Sequence, residues 1–319
     1  MQKNKRTPRP SVEYSSLTPR LAWQLAAPHT WAAALLPVLL AVVYCAISYS
    51  GHINLLLVLV LLAICVLMQS SVNVFNDYFD FKKGLDSQEN SSTDEFDAVL
   101  VYNNLRPKSV LALAVGYLAL AGLLGVYIIY CTGWIPLVIG IIGACIVVAY
   151  SGGRTPLSYL PIGEVVSGFV MGGLIPLACT YVLSSVLDFR VLLVAIPVMI
   201  GIGMILFTNN SCDIEKDIPA HRKTLAVILG RQSIVGTYRL MVAVWLISVI
   251  ALVGILYPAG IPVLVFMLLA LFPLLRALFK NPLIQASRDA AMSQIVMLNT
   301  IVTTFYCLAL FANSIITWI

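Results

Sequence analysis

Charge is scarce in this chain. Of its 319 residues only 10% are charged and 60% are hydrophobic, whereas soluble domains carry roughly 25% charged residues. The shortage excludes an ordinary water-soluble domain, which would need an implausibly large core. Histidine is almost missing too: His29, His52 and His221 stand far apart, and no convincing triad with a serine or cysteine emerges. The seven cysteines (45, 65, 131, 145, 179, 212 and 307) show no CxxC or other paired spacing. They read as small apolar packing residues, not as disulfides or a zinc site. Basic residues do not interleave with aromatics as on a nucleic-acid surface, so no nucleic-acid partner is expected and the net charge of +5 needs another origin. Pro8, Pro10 and Pro19 interrupt the basic first thirty residues, and no small-residue cleavage site follows the first apolar run. The expectation is a first span that directs its own insertion, with no removable signal peptide.

What the chain does have is apolar length. A membrane-crossing helix needs roughly 20 apolar residues, and nine such runs appear, at about 31–48, 53–76, 110–130, 134–149, 163–183, 191–207, 240–257, 261–279 and 291–318. The predicted fold is all-α: a polytopic bundle of nine transmembrane helices around a central cavity, with residues 1–19 a basic tail and 20–319 one domain in the lipid bilayer. With the N-terminus in the cytoplasm, every Lys and Arg except Arg190 falls on an inner segment. The positive-inside rule asks for that asymmetry, and it accounts for the net charge. A plasma-membrane protein is expected, with its polar face toward the cytoplasm.

The acids are equally one-sided. All but Asp188 lie on inner segments, most of them just after the second and the sixth spans. The first cluster contains Asn73, Asn76, Asp77, Asp80, Lys82, Lys83, Gly84 and Asp86. At three- to four-residue spacing, Asn73, Asn76 or Asp77, and Asp80 share a helix face, and Gly84 can end that helix and fold Asp86 back. The second contains Asn209, Asp213 and Asp217, again one stripe at i, i+4 and i+8. Carboxylates in a row repel one another unless a cation lies between them. Oxygen donors without His or Cys suit Mg²⁺, which takes one or two carboxylates and completes its shell with water and substrate phosphate. Lys82 and Lys83 beside one cluster, and Arg222 and Lys223 beside the other, can take diphosphate oxygens. Two such sites at the membrane–cytosol boundary predict a magnesium–diphosphate pocket, with the apolar bundle behind it for a lipid tail.

At these residues the sequence resembles the UbiA superfamily of intramembrane prenyltransferases. The stretches 76–86 (NDYFDFKKGLD) and 209–230 (NNSCDIEKDIPAHRKTLAVILG) look like its 1,4-dihydroxy-2-naphthoate polyprenyltransferase branch, which serves menaquinone biosynthesis; 23–37 and 150–163 (YSGGRTPLSYLPIG) add weaker matches. The resemblance implies Mg²⁺ held by Asn76, Asp80, Asp86, Asp213 and Asp217, with Asn209 among the donors. It also implies Asp77 on the acceptor side and Lys223 as a basic contact. Arg154 and Tyr150, after the fourth span, are candidates to touch phosphate or the acceptor. Tyr78, Phe79, Tyr150 and Tyr159 are candidate faces for an allylic cation. The implied substrates are a polyprenyl diphosphate and an aromatic acid; prenyl length and oligomeric state are unspecified.

The chain also departs from the family's pattern. His221-Arg222-Lys223-Thr224 stands where Gly-Lys-Arg-Thr is usual, Cys212, Tyr102 and Ala27 each replace a frequent Arg, and 87–97 is acidic instead of glycine-rich. These changes leave hydroxybenzoate- or homogentisate-type acceptors open. Residues 87–108 form a connection long enough to be a lid. A transporter with intramembrane carboxylates is the alternative of another class, but it would place them near the midplane, and both clusters here fall at inner span ends. A CDP-alcohol phosphotransferase would need one concentrated acidic signature, which is absent.

Overall fold

A computed structural model describes residues 14–49, 52–84, 98–153 and 155–316. Among them every element is helical. In chain order these are α1 (Pro19–Ala26), α2 (Ala32–Ser48), α3 (Leu55–Lys83), α4 (Val99–Tyr102), α5 (Pro107–Thr132), α6 (Ile135–Ser151), α7 (Gly163–Phe169), α8 (Ile175–Ser184), α9 (Arg190–Val194), α10 (Ile196–Cys212), α11 (Ile214–Asp217), α12 (Leu225–Leu229), α13 (Arg231–Leu256), α14 (Ile261–Lys280) and α15 (Arg288–Ile316). A π-helical turn, Val170–Leu174, joins α7 to α8.

Each of the nine apolar runs lies on helix. Six helical stretches are long and apolar enough to cross a membrane, and a seventh arises if Pro19–Thr30 and Ala32–Ser48, bent by 54°, count as one span. The other two runs form the 17-residue helices α6 and α10. Large apolar side chains such as Leu59, Leu123, Val126, Ile247, Phe266 and Phe272 stand exposed around the bundle, as a lipid-facing surface requires.

Inside the bundle, small residues let helices approach closely, the usual solution where lipid supplies no hydrophobic drive. A Cβ on Gly172 would lie 2.5 Å from Met199 Cα, and one on Gly168 would run into the Met199 carbonyl oxygen. The π-turn and its glycines therefore seat the α7–α8 span directly on the backbone of α10. Gly201 does the same for Trp245, whose ring would meet its Cβ at 2.6 Å; Trp245 and Tyr306 are fully buried.

The two ends of α3 are both fixed locally. Asn54 caps its start by accepting from Leu56 N and Leu57 N. Gly84, in the left-handed conformation at φ 73°, ends it as expected. The break between α1 and α2 is stitched by Asn73, whose Nδ2 donates to Ala26 O and to Thr30 Oγ1, both at 2.9 Å. Ala27 sits at the bend with φ 47°. Asn73, read from spacing as part of the acidic stripe, is thus spent on holding this bend. The stretch expected to be a lid divides: 85–97 lies outside the described residues, while Ala98, Val99, Leu100 and Leu105 are buried against α1, α3 and α5.

The close approach of the π-turn to α10 gives a direct test. Gly172→Val should force the turn away from α10 and cost about 1–3 kcal/mol, read as a lower unfolding temperature in detergent. Gly140→Ala, on α6 with nothing within 4 Å of the new methyl, should leave that temperature unchanged or slightly raised. Equal effects from the two would contradict the packing.

Candidate active site

The site is built where the end of α3 meets the turn after α11. Asp80 lies one turn from the end of α3, within electrostatic range of both Lys83 and Arg222. Lys83 turns inward. Its Nζ donates to Ser151 O at 2.7 Å and lies 4.7 Å from the centre of the Tyr159 ring. Arg222 approaches the same ring at 5.1 Å and forms an ion pair with Asp217 at 3.0 Å. Two cations gathered at one aromatic ring repel each other, so the arrangement calls for anions beside them. A recess of about 500 Å³ opens here, lined by Lys83, Gly84, Gly153, Tyr159, Pro219, Ala220 and His221. Behind it, half-buried Tyr150 at the end of α6 lies within electrostatic range of Arg222, Glu164 and Asp80. Groups from α3, α6 and the segment after α10 therefore share one neighbourhood.

The second segment is not one continuous helix. α10 stops at Cys212, Asp213 takes φ −102° and ψ 12°, and α11 resumes at Ile214. The stripe nonetheless survives, because Asp213 N still donates to Asn209 O at 3.2 Å and Asp217 N to Asp213 O at 2.8 Å. Asp217 is fully buried and Asp213 nearly so, and the two carboxylates feel each other's charge. Asp217 also accepts from Thr224 Oγ1 at 3.5 Å, and that same oxygen caps α12 through Val227 N. Burial, only partly offset by Arg222, pushes Asp217 up to about 6 from an ordinary 3.8, and Asp213 adds to the rise. Glu215, by contrast, points to Arg231 at 2.6 Å, which holds it below the usual carboxylate range and outside the site.

The remaining expected residues have varied placements. The Asn76 side-chain oxygen accepts from Ser151 Oγ, tying α3 to the end of α6. Asp77 accepts from Leu100 N at 3.2 Å and so anchors α4. Lys82 and Lys83 are both exposed, but Lys82 Nζ lies 6.0 Å from the Tyr78 ring while Lys83 is the one that reaches Ser151 O and Tyr159. Lys223 donates its backbone N to Tyr159 O at 2.8 Å while its side chain faces outward. Asn209 Oδ1 accepts two bonds from Arg288, at 2.7 and 3.2 Å, and the same guanidinium lies 3.4 Å from Asp213. Sequence spacing did not single out Arg288, which is 75 residues beyond Asp213; its only signal was its place on an inner, basic segment. Asp86 and Arg154 lie outside the described residues.

Among the described residues no three His, Cys, Asp or Glu side chains form a closed metal cage. The donors fit magnesium all the same. They are all oxygens, Asp213 and Asp217 are buried side by side, and Mg²⁺ ordinarily takes few protein ligands and shares the rest with phosphate.

His221 explains one departure from the family pattern. Its φ is 56°, the left-handed region where a side chain costs about 1–2 kcal/mol and where the family's usual glycine costs nothing. Its amide donates to Ile218 O and the next amide, Arg222 N, reaches back to Asp217 O, so this bend aims Arg222 at Asp217.

Both Asp217 and His221 can be tested. His221→Gly should raise the unfolding temperature, by about 1 kcal/mol of stability; a fall would contradict the backbone account. For Asp217 the raised value means that its contribution to stability is greatest at low pH and is lost as pH rises through about 6. A divalent cation offsets that loss only where the carboxyl is ionised, so Mg²⁺ should stabilise the protein against heat more at about pH 7.5 than at about pH 5. Equal stabilisation at both would remove Asp217 from the metal site.

Residues 34–313 match the UbiA prenyltransferase family. The chain is similar to a 1,4-dihydroxy-2-naphthoate octaprenyltransferase of Bacillus subtilis, 36% identical over 236 residues, which is 74% of this chain and 73% of that one. Among solved structures, a UbiA homologue from Archaeoglobus fulgidus superposes with a TM-score of 0.64 at 14% identity, over 92% of this chain and 98% of that one. The same homologue bound to GPP and Mg²⁺ superposes with a TM-score of 0.57 at 16% identity, over 92% and 99%. The family match covers most of the sequence and the fold agrees with it: the chain belongs to the UbiA prenyltransferase family.

Proposed function

We propose that this protein transfers a polyprenyl group from a polyprenyl diphosphate to an aromatic acceptor, 1,4-dihydroxy-2-naphthoate, in menaquinone biosynthesis, with magnesium at the site. The observation that carries this reading is the shared neighbourhood of Asp80, Lys83, Arg222 and Asp217 around Tyr159. The name of the Bacillus relative supports the acceptor, and the metal is supported by the Mg²⁺-bound Archaeoglobus structure. The lipid bilayer is the medium. In this reading nine spans surround the pocket, the N-terminus and the site face the cytoplasm across the plasma membrane, and the distribution of Lys and Arg supports that orientation.

Asp80, Asp213 and Asp217 would hold the magnesium, with the amide oxygen of Asn76; the family resemblance adds Asp86, which lies outside the described residues. When bound, the metal supplies positive charge to the departing diphosphate. Lys83 and Arg222 hold the diphosphate oxygens and neutralise the charge that develops as the allylic C–O bond breaks, its electron pair leaving with pyrophosphate. The Tyr159 and Tyr150 rings offer aromatic faces to the resulting allylic cation. The acceptor ring forms the new C–C bond with its π electrons. It then loses a proton, or at the carboxylate-bearing carbon loses CO₂, whose bonding pair returns to the ring. Asp77, already bonded to α4, positions the wall of the pocket on the acceptor side.

Purified protein given Mg²⁺, a polyprenyl diphosphate and 1,4-dihydroxy-2-naphthoate should release pyrophosphate and form a prenylated naphthoquinol. 4-Hydroxybenzoate and homogentisate should react far more slowly. Asp80→Ala and Asp213→Ala should each lower turnover by about 100-fold or more while helical content is retained. Full activity in both variants would overturn the site, and preference for another acceptor would move the protein to a different aromatic substrate.

A further inference from the structure

Arg288 stands on the first turn of α15, at the far edge of the second acidic segment. Its Nη2 and Nε donate to Asn209 Oδ1 at 2.7 and 3.2 Å, and its Nε lies 3.4 Å from Asp213 Oδ2. The side chain is 14% exposed and that of Asp213 9%, so this guanidinium is mostly withdrawn from water. It covers two oxygens, of which the Asp213 carboxylate belongs to the magnesium site in the proposed function. The turn that delivers it is firmly built: Asn281 Oδ1 accepts from Leu283 N and from Ser287 Oγ, both at 2.8 Å. Any change of partner must therefore come from the Arg288 side chain itself.

Charge decides the direction of that change. Arg288 sits on Asp213 and Arg222 on Asp217, so the second segment is close to neutral on its own. A dication placed on Asp213 meets the guanidinium head-on, and like charges at such range repel strongly in a partly dry site. A diphosphate arriving with the metal gives the displaced guanidinium new oxygen partners, and its planar fork matches them in pairs.

The geometry points to Arg288 as an exchangeable cation: it holds Asn209 and Asp213 in place before the metal arrives, yields those oxygens to it, and turns to the diphosphate that comes with it. This rests on the magnesium–diphosphate reading of the pocket. It makes Arg288 a positioning residue in the metal-free protein and a diphosphate-binding residue in the loaded one. A purely structural arginine would affect both ligands in the same sense; an exchangeable one affects them oppositely.

Calorimetry in detergent on the full chain separates the two, with Mg²⁺ alone and Mg²⁺ plus inorganic pyrophosphate as the probes. Arg288→Gln removes the competitor and the phosphate contact together. It should bind Mg²⁺ alone about tenfold more tightly and pyrophosphate with Mg²⁺ about tenfold more weakly than the unaltered protein. Arg288→Lys keeps the charge without the fork, so Mg²⁺ binding should stay near that of the unaltered protein while pyrophosphate binding falls several-fold; it serves alone if the glutamine variant fails to fold. Losses of both ligands in parallel, or no change in either variant, would overturn the exchange. If the unaltered protein binds neither probe, the pocket reading falls with it.

Discussion

Ionised carboxylates at the edge of a lipid phase are tolerated only with cations beside them. Desolvating one such group costs several kcal/mol even after relaxation, and this chain buries Asp213 and Asp217 within four residues of each other. The rest of the site depends on how those charges are balanced. Arg222 and Arg288 are brought from different segments to lie on them, and Asp80 supplies a third carboxylate opposite Lys83 and Arg222. Three acids and three bases make a nearly neutral cluster. Such a cluster can exchange partners when a metal and a polyanion arrive together, which an apolar core could not do.

The fold serves that balance by ending helices in chosen places. Gly84 stops α3 one turn after Asp80. The break at Asp213 lets the chain turn while still passing the amide of Asp217 back to it. His221, in a left-handed conformation, aims Arg222. Deeper in the bundle, Gly168 and the glycines of the π-turn bring α7 and that turn onto α10, and Glu164 accepts from the Asn210 side-chain amide at 2.8 Å, which ties the second segment to α7. Helix packing and site chemistry are thus two ends of the same elements.

Much of this was legible in the sequence because membrane helices and charge obey strong rules. Apolar length placed helices where the described residues have them, six of them long and apolar enough to cross a membrane and a seventh if the bent pair counts as one, and spacing placed the two acidic clusters at helix ends. What spacing could not show was which polar side chain the local fold would consume. Asn73 lies on the same face as Asp80 yet is taken up by Ala26 and Thr30 at the α1–α2 bend. Lys82 and Lys83 are indistinguishable as letters, and only the helix's rotation turns Lys83 to Tyr159. Arg288 is remote in sequence and reaches Asn209 only because α15 packs against α10. The His221 departure looked like a change of chemistry and is in the first place a matter of backbone.

The central claim is that the two acidic segments grip one metal-bound diphosphate. A crystal structure with Mn²⁺ in place of Mg²⁺ and an unreactive prenyl diphosphate analogue, read by anomalous scattering, tests it most directly. The account predicts manganese peaks bridging the diphosphate to Asp80 on one side and to Asp213 or Asp217 on the other. Peaks confined to one segment, with the diphosphate bound elsewhere, would contradict it.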